Sequence, residues 1–340
     1  MAEPILSIRD LTVEFSTEDG VVRAVTGVTY DLQPGEVLGI IGESGSGKSV
    51  SVMSMLGLIP QPPGRVVSGE AVFKGNDLIS MGKKQLREIR GGDAAMIFQD
   101  PMTSLNPVLT VGNQLAEAIQ AHHPGVKDKA ALRRAAELLD LVGVPNPEQR
   151  VNQYPHEFSG GMRQRAMIAM AIANEPSVLI ADEPTTALDV TIQAQIIEVL
   201  KAAQHETGAA IILITHDLGL IAELADRVVV MYAGRVVEMG DVFTIFEYPR
   251  HPYTLGLMNS LAKLEGDQEW LQPIPGQPPS LVTPPPGCAF HPRCLLSQGR
   301  PRCREEIPPL REVQAAHVSA CHFAEELVHE AAPLSAEATT

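Results

Sequence analysis

The chain has 340 residues, enough for one large domain with an appendage or for two modest domains. Hydrophobic residues make up 44% of it but aromatic residues only 4%, a balance typical of an α/β core built from Ala, Val, Ile and Leu rather than of an all-β sandwich. The formal net charge is −15, so the sequence lacks the basic surface with which nucleic-acid binders displace counterions from phosphates. We therefore expect no nucleic-acid partner.

The beginning of the chain predicts a strand rather than a targeting segment. Residues 1–15 contain no basic stretch followed by an apolar one, so no secretion signal is expected. The longest apolar runs, such as 178–181 and 209–214, fall far short of the roughly 20 residues that cross a bilayer. We expect a soluble chain that acts at a membrane only through partners.

The first predicted elements surround a glycine-rich turn. Three strands are predicted at 5–15, 22–32 and 37–41, and a helix at 48–58. The third strand is a continuous apolar run that ends in glycine. Strand, glycine-rich turn and helix, in that order, are the context that a phosphate-binding loop requires.

The middle of the chain predicts a helical subdomain, at about 92–173, followed by further strands. Within it, 127–142 is amphipathic and 160–173 is rich in Met and Ala. After it, short apolar runs alternate with helical stretches, as expected for a parallel sheet covered on both faces. The predicted strands are 178–181, 211–215 and 228–232, and the predicted helices between and after them are 190–206 and 218–225.

The composition changes beyond about residue 246. Prolines crowd 273–309, and all four cysteines lie in the same part of the chain. Such a segment is not expected to bury a core unaided. We therefore divide the chain into a core domain at 1–245, a Pro/Cys-rich C-terminal extension at 246–325 and a disordered tail at 326–340.

Residues 42–49 read Gly-Glu-Ser-Gly-Ser-Gly-Lys-Ser and match G-x-x-x-x-G-K-S in full. In such a loop, backbone N–H groups face phosphate oxygens, Lys48 reaches the β- and γ-phosphates and Ser49 ligates Mg²⁺. The alternative, a glycine-rich turn with a chance lysine, is disfavoured by the flanking strand and helix. The predicted ligands are ATP and Mg²⁺. The residues expected to bind the nucleotide are Gly42, Ser44, Gly45, Ser46, Gly47, Lys48 and Ser49, with Val50 directly after them.

Polar residues follow three other apolar runs. Asp182 and Glu183 come after 178–181, where the first carboxylate holds Mg²⁺ and the second orients the attacking water. His216 follows 211–215, in reach of the γ-phosphate, and Gln99 is placed to contact both metal and water. Each would be unremarkable alone, since two acids in a turn or a histidine at a strand end are more often structural than catalytic.

The decisive motif is Phe158-Ser159-Gly160-Gly161-Met162-Arg163-Gln164-Arg165, a small-residue turn that opens a helix. Ser159 and the amides of Gly160 and Gly161 form a second anion site at that helix N-terminus. With the motifs above and Thr-Ala-Leu-Asp at 186–189, in this order, the sequence resembles the nucleotide-binding subunit of an ATP-binding cassette transporter. Phe158, Met162 and Thr186 differ from the commonest family residues, but the serine and glycines that face phosphate in the family are unchanged here.

The resemblance implies a P-loop NTPase cassette: an α/β fold with a mostly parallel core sheet, N-terminal antiparallel strands and an inserted helical subdomain. It also implies a head-to-tail pair of such domains with two ATP molecules between them. Each ATP would contact the phosphate loop of one subunit and Ser159, Gly160 and Gly161 of the other. Phe15 occupies the family position that stacks on adenine, and Asp189 belongs to the nucleotide-binding set.

Residues 99–107 and 251–254 are similar to the dipeptide/oligopeptide (and nickel) importer branch of this family, and the similarity runs from about residue 5 to 323. This implies an ATPase that drives peptide import. The implied partners are a second, homologous ATPase subunit, two transmembrane permease subunits and an extracytoplasmic substrate-binding protein. The implied location is peripheral, on the cytoplasmic face of the inner membrane. A cassette ATPase of DNA repair or translation would typically carry coiled-coil insertions, a second cassette or basic surfaces, and none is evident.

Cys288, Cys294, Cys303 and Cys321 are separated by five, eight and seventeen residues. These spacings match neither ferredoxin runs nor paired C-x-x-C zinc ribbons, so spacing alone leaves metal binding and four reduced thiols equally open. Some members of the resembled branch hold a 4Fe-4S cluster in a similar tail, which favours iron–sulfur here. Zinc stays an alternative, with His291, His317 and His322 as substitute ligands.

Overall fold

The structure is a computed structural model that describes residues 3–100, 104–185, 190–260 and 274–327. In chain order its strands are β1 (Leu6–Thr17), β2 (Gly20–Leu32), β3 (Val37–Ile41), β4 (Gly64–Phe73), β5 (Asn76–Asp77), β6 (Ala94–Ile97), β7 (Val178–Asp182), β8 (Ala210–Ile214), β9 (Arg227–Tyr232), β10 (Arg235–Asp241), β11 (Arg311–Gln314) and β12 (His317–Ser319). Its helices are α1 (Lys48–Met55), α2 (Lys83–Ile89), α3 (Val111–His122), α4 (Asp128–Leu141), α5 (Pro147–Arg150), α6 (Gly160–Ile172), α7 (Val190–Thr207), α8 (Leu218–Leu224), α9 (Val242–Glu247), α10 (Pro252–Asn259) and α11 (Arg302–Glu305).

The predicted N-terminal antiparallel strands are confirmed. They form a four-stranded sheet with the order β2-β1-β4-β5, in which β1 pairs antiparallel with both β2 and β4. Leu6 and Ile8, and beyond an irregularity in the strand pairing Leu11 and Val13, are buried and line the core. Strands β4 and β5 were not predicted from the sequence.

The main sheet has eight strands in the order β11-β12-β10-β9-β3-β8-β7-β6. The strands from β9 to β6 run parallel, and the other three are antiparallel, so the predicted mostly parallel core sheet is confirmed. Every residue of β3, β7 and β8 is buried, which explains their continuous apolar sequences. Because these strands are parallel, their carboxyl ends lie at the same edge of the sheet.

Helices α3 to α6 form the inserted helical layer. Helix α6 packs against α3, α4, α7 and β6. Strand β6 lies inside the range 92–173 predicted as helical, yet it belongs to the main sheet beside β7. The predicted subdomain therefore starts too early, because a four-residue apolar strand has no periodicity that separates it from a helix.

The C-terminal extension is built onto the main sheet. Strand β12 pairs with β10, and Tyr253 and Phe290 are buried in the same hydrophobic core as the central strands. His317 Nε2 lies 2.7 Å from Glu238 Oε1, and both side chains are buried. The extension thus shares the core of the preceding domain.

Leu327 is buried, and its carbonyl accepts a hydrogen bond from Arg250. The described chain therefore continues past residue 326, where the sequence predicted a disordered tail, and residues 328–340 lie outside the described part. Within the described ranges, no helix is both long enough and apolar enough to cross a bilayer.

Candidate functional site

Residues 42–49, here called the phosphate loop, connect the buried strand β3 to helix α1. Gly47 is the N-cap of α1 and has a φ of 99°, in the left-handed region. A Cβ at this position would lie 2.3 Å from the carbonyl oxygen of Ala24. Only glycine therefore allows the chain to turn into α1 while it passes this close to β2.

Lys48 is buried at the first position of α1. Its Nζ donates hydrogen bonds to the carbonyl oxygens of Gly42 at 2.7 Å and Glu43 at 3.1 Å. Burial lowers the pKa of Lys48, and the nearby carboxylates of Glu183, Asp182 and Glu43 oppose that shift. The ammonium group therefore lies inside the loop, where a phosphate can replace the two carbonyl partners.

Ser49 and Asp182 join the phosphate loop to the end of β7. The Ser49 hydroxyl donates a hydrogen bond to Asp182 Oδ1 at 2.8 Å. Burial raises the pKa of Asp182, while the Ser49 hydrogen bond opposes the shift. Two oxygen donors on separate elements, beside a buried lysine, are chemically suited to an Mg²⁺ ion that also binds phosphate.

Glu183 and His216 face each other across the ends of β7 and β8. His216 Nδ1 lies 2.6 Å from Glu183 Oε2, and the Glu183 amide donates to the Ile214 carbonyl at 2.8 Å. Glu183 has a φ of 52°, a strained conformation for a residue with a Cβ. The backbone thus holds the second carboxylate at the same sheet edge as Asp182.

Gln99 is exposed and follows β6, the neighbour of β7, so it lies at the same edge of the sheet. Phe15 is on β1, where a Cβ added to Gly64 would lie 2.8 Å from its ring. Val50 on α1 packs against the core beneath the antiparallel sheet. The roles of Gln99, Phe15 and Val50 in nucleotide binding stay predictions.

The predicted second anion site lies at the start of α6. Ser159 is the N-cap, and its Oγ accepts a hydrogen bond from the Met162 amide at 3.3 Å. Ser159 and Gly160 are exposed, whereas Gly161 is buried, with Ile192 in contact range of an added Cβ. Asp189 and residues 186–188 lie outside the described residues.

The structure adds two residues of the extension that sequence reasoning did not assign to the site. The Glu43 amide donates a hydrogen bond to the Tyr253 hydroxyl at 2.7 Å. Arg293 Nη1 and Nη2 lie 2.6 and 2.9 Å from the two carboxylate oxygens of Glu43. Tyr253 belongs to the stretch 251–254 that carried the family resemblance, and Arg293 directly precedes Cys294, but nothing in their spacing connects them to residue 43.

The four cysteines line one small pocket, here called the cysteine pocket, together with His251, His291 and His322. All four are free thiols. Burial raises the pKa of Cys288 to about 11 and that of Cys321 to about 12. His317, named as a substitute ligand, is instead bound to Glu238.

Among the residues that the structure describes, no group of three or more His, Cys, Asp or Glu side chains is arranged to hold a metal ion. A structural zinc site needs its thiolates about 2.3 Å from one ion, hence closely packed. The four cysteines share one pocket, but the structure does not bring them into such an arrangement.

An apolar groove of about 350 Å³ lies beside the end of β6. Most of its lining residues come from β6 of the main sheet and from helices α3 and α6 of the helical layer. Its walls are mainly apolar, with Met96, Phe98, Leu105, Ala118, Ala121, Met167 and Met170, and they also include Arg90, Ser104, His122 and Asn174. Phe98, which directly precedes Gln99, is 40% exposed. The groove therefore opens to solvent next to the predicted site.

Comparison with known proteins identifies two family regions in the chain. Residues 25–186 match the ABC transporter family, and residues 237–303 match the C-terminal region of oligopeptide/dipeptide transporters. The "Probable peptide ABC transporter ATP-binding protein y4tR" of Sinorhizobium fredii is 52% identical over 96% of this chain and 97% of its own length. The dipeptide transport ATP-binding protein DppD of Escherichia coli is 50% identical over 94% of this chain and 96% of its own length.

Solved structures show the same fold. The ATP-binding cassette MJ0796, a dimer in a post-hydrolysis state with ADP and phosphate, has a TM-score of 0.63 and 26% identity, over 70% of this chain and 98% of its own. CbiO1 of Clostridium perfringens, part of an ABC transporter complex, has a TM-score of 0.60 and 29% identity, over 73% of this chain and 92% of its own.

Two glycines of the phosphate loop provide a matched test of its geometry. Gly47 and Gly45 both have left-handed φ values, 99° and 78°, but an added Cβ at Gly45 meets nothing within 4 Å. We predict that Gly47→Ala lowers the free energy of unfolding of the nucleotide-free protein by more than about 2 kcal/mol, because the new Cβ clashes with backbone and alanine is also strained at this φ. Gly45→Ala has only the backbone strain and should lower it by about 1 kcal/mol. Denaturant unfolding measures both, and equal losses would contradict the predicted clash.

Proposed function

The chain belongs to the family of ABC transporter ATP-binding proteins, and we propose that it is the ATP-hydrolysing subunit of an importer of dipeptides or oligopeptides. The observation that carries the proposal is the assembly of Lys48, Ser49, Asp182, Glu183 and His216 at one edge of the sheet. The peptide class is supported by the match of residues 237–303 to the oligopeptide/dipeptide transporter C-terminal region and by the names of the relatives.

Substrate ATP would bind along the phosphate loop, with its triphosphate on the backbone amides of residues 42–49. Lys48 would exchange its bonds to the Gly42 and Glu43 carbonyls for bonds to the β- and γ-phosphates. Ser49 and Asp182 would hold Mg²⁺, with Gln99 as a further ligand. When bound, Mg²⁺ neutralises charge on the phosphates and orients them. Phe15 and Val50 would contact the nucleoside and the phosphates, respectively.

Glu183 would orient the attacking water for in-line displacement at the γ-phosphorus and accept its proton. His216, which lies 2.6 Å from that carboxylate, fixes its direction before substrate binds. On nucleotide binding, His216 would turn to the γ-phosphate. Lys48, Gln99 and His216 then stabilise the charge that develops on the phosphoryl oxygens.

A second ATPase subunit would complete the site. Ser159 and Gly160 are exposed at the N-terminus of α6, where the backbone amides and the helix dipole favour an anion. We propose that they bind the γ-phosphate of ATP held by a homologous subunit, together with Gly161 and Asp189. The dimeric state of the related cassette MJ0796 supports a pair of ATPase subunits.

Two permease subunits would dock on the cytoplasmic side of the inner membrane, one of them in the apolar groove beside Phe98. The groove is apolar, open and adjacent to Gln99, so a permease segment placed there senses closure of the nucleotide site. An extracytoplasmic binding protein would deliver the solute to these permeases. The test of the solute class is to purify the intact complex and determine whether dipeptides, oligopeptides or nickel stimulate its ATPase activity.

The cysteine pocket would hold a 4Fe-4S cluster through Cys288, Cys294, Cys303 and Cys321. The support is that four free thiols from separate turns converge there. An iron–sulfur cluster is held by four thiolates and spans several atoms, so its ligands lie farther apart than those of one zinc ion. The cluster would join segments of the extension that hydrogen bonds also connect, such as the bond from the Cys288 amide to the Cys303 carbonyl.

We predict that Glu183→Gln retains ATP binding but lowers the hydrolysis rate of the assembled transporter by at least about 100-fold, because the amide cannot accept the water proton. Nucleotide binding and phosphate release measure the two properties separately. Glu175→Gln, at an exposed residue, is the control. Near-normal hydrolysis by Glu183→Gln would refute the assigned role.

We predict that Ala121→Arg prevents assembly with the permeases while the subunit still binds ATP, because it adds a long charged side chain to the mainly apolar wall of the groove. Asn113→Arg adds the same charge to the same helix, α3, at an exposed position outside the groove wall. Copurification from membranes measures assembly. Equal recovery of permeases with both variants would rule out the groove as the docking site.

We predict that the anaerobically purified protein contains iron and acid-labile sulfide and absorbs visible light. Cys294→Ser should lose most of the iron, because one of four thiolate ligands is removed. Elemental analysis and the absorption spectrum measure this. Gln298→Ala, at an exposed position four residues after Cys294, is the control. Stoichiometric zinc without iron in the wild type would reject the cluster.

A further inference from the structure

The extension holds one residue of the phosphate loop, Glu43, at two separate groups. The backbone amide of Glu43 donates to the Tyr253 hydroxyl, and its carboxylate forms two hydrogen bonds with Arg293. The Glu43 carbonyl is the 3.1 Å acceptor for Lys48. A single loop residue therefore connects the extension to the lysine that reaches the phosphates.

Arg293 is held rigidly. Its side chain is only 5% exposed, and its Nε donates to the Pro275 carbonyl at 2.8 Å. The guanidinium carbon lies 5.9 Å from the ring centroids of both Tyr232 and Phe290. A buried, bidentate arginine with stacked aromatic neighbours keeps its direction, whereas a flexible surface pair does not.

The charge of Glu43 explains why such a partner matters. A carboxylate in a loop that receives a triphosphate repels the substrate, and it also competes with phosphate for Lys48. Arg293 neutralises this carboxylate and holds both of its oxygens in a bidentate pair. The cationic side of the loop then consists of Lys48 and the backbone amides.

We propose that Arg293 is a positioning residue of the ATPase reaction: it fixes and neutralises Glu43, and thereby keeps the phosphate loop and Lys48 ready for the triphosphate. The proposal rests on the proposed ATPase function. Under this proposal, the C-terminal extension supplies a residue that positions the phosphate loop. Because Arg293 directly precedes Cys294, the cysteine pocket anchors the segment that carries this residue.

The test compares Arg293→Ala, the double variant Glu43→Gln/Arg293→Ala and the control Arg302→Ala, whose residue forms an exposed pair with Glu306 in the same extension. KM and kcat for ATP are measured in the assembled transporter. We expect Arg293→Ala to raise KM by about tenfold with a smaller change in kcat, since the free carboxylate repels substrate before the chemical step. Arg302→Ala should leave both constants unchanged.

The double variant separates positioning from simple stabilisation. It removes the repelling carboxylate as well as the arginine, so KM should return most of the way to the wild-type value. A purely structural contact predicts no recovery, because both partners are then lost. An unchanged KM in Arg293→Ala, or no recovery in the double variant, overturns the proposal.

Two further variants complete the design. If Arg293→Ala does not fold, Arg293→Lys keeps the charge without the bidentate geometry and should raise KM about threefold, and a wild-type KM overturns the proposal. Lys48→Ala reports on the proposed function itself. If Lys48→Ala abolishes hydrolysis while Arg293→Ala has no effect, the ATPase function stands and only the role of Arg293 falls.

Discussion

Parallel pairing of β3, β8 and β7 is the constraint on which the rest of the structure depends. Ile214, the last residue of β8, pairs with Ile40 on one side and Asp182 on the other. This register brings the three strand ends to one line, although Ser49 and Asp182 are 133 residues apart in the chain. A slip of one residue would turn every side chain to the opposite face and separate the groups of the site. The chemistry is therefore set by the buried apolar strands beneath it.

Charge is balanced locally around the phosphate loop, although the whole chain carries a net charge of −15. Lys48 is surrounded by the carboxylates of Asp182, Glu183 and Glu43, each of which also has another described partner. Burial lowers the pKa of Lys48 and raises the pKa of Asp182, and the carboxylates around Lys48 and the Ser49 hydrogen bond to Asp182 oppose these shifts. A phosphate that binds in the loop, as proposed, would replace existing partners of Lys48 and would not meet an isolated charge.

The sequence predicted those parts of the fold and site that depend on local order along the chain. The phosphate loop, Asp182, Glu183 and His216 follow apolar strands directly, so a strand and its next residue are enough to find them. Other parts depend on contacts between distant residues. The pairing of β12 with β10 and the Arg293–Glu43 pair, 250 residues apart, leave no periodic signal in either segment. Strand β6 was missed for a different reason, since its four residues are too few to distinguish a strand from a helix.

Glu238 explains how a proline-rich extension with little core of its own becomes part of the fold. Its fully buried carboxylate accepts hydrogen bonds from the amides of Arg250 and His251 and lies 2.7 Å from His317 Nε2. A buried carboxylate is tolerated only when such partners surround it, so β10 dictates the position of the chain before α10 and of β12. Helix α10 then presents Tyr253 to the phosphate loop. The hydrogen bonds that satisfy the buried Glu238 carboxylate thus also place the extension next to the phosphate loop.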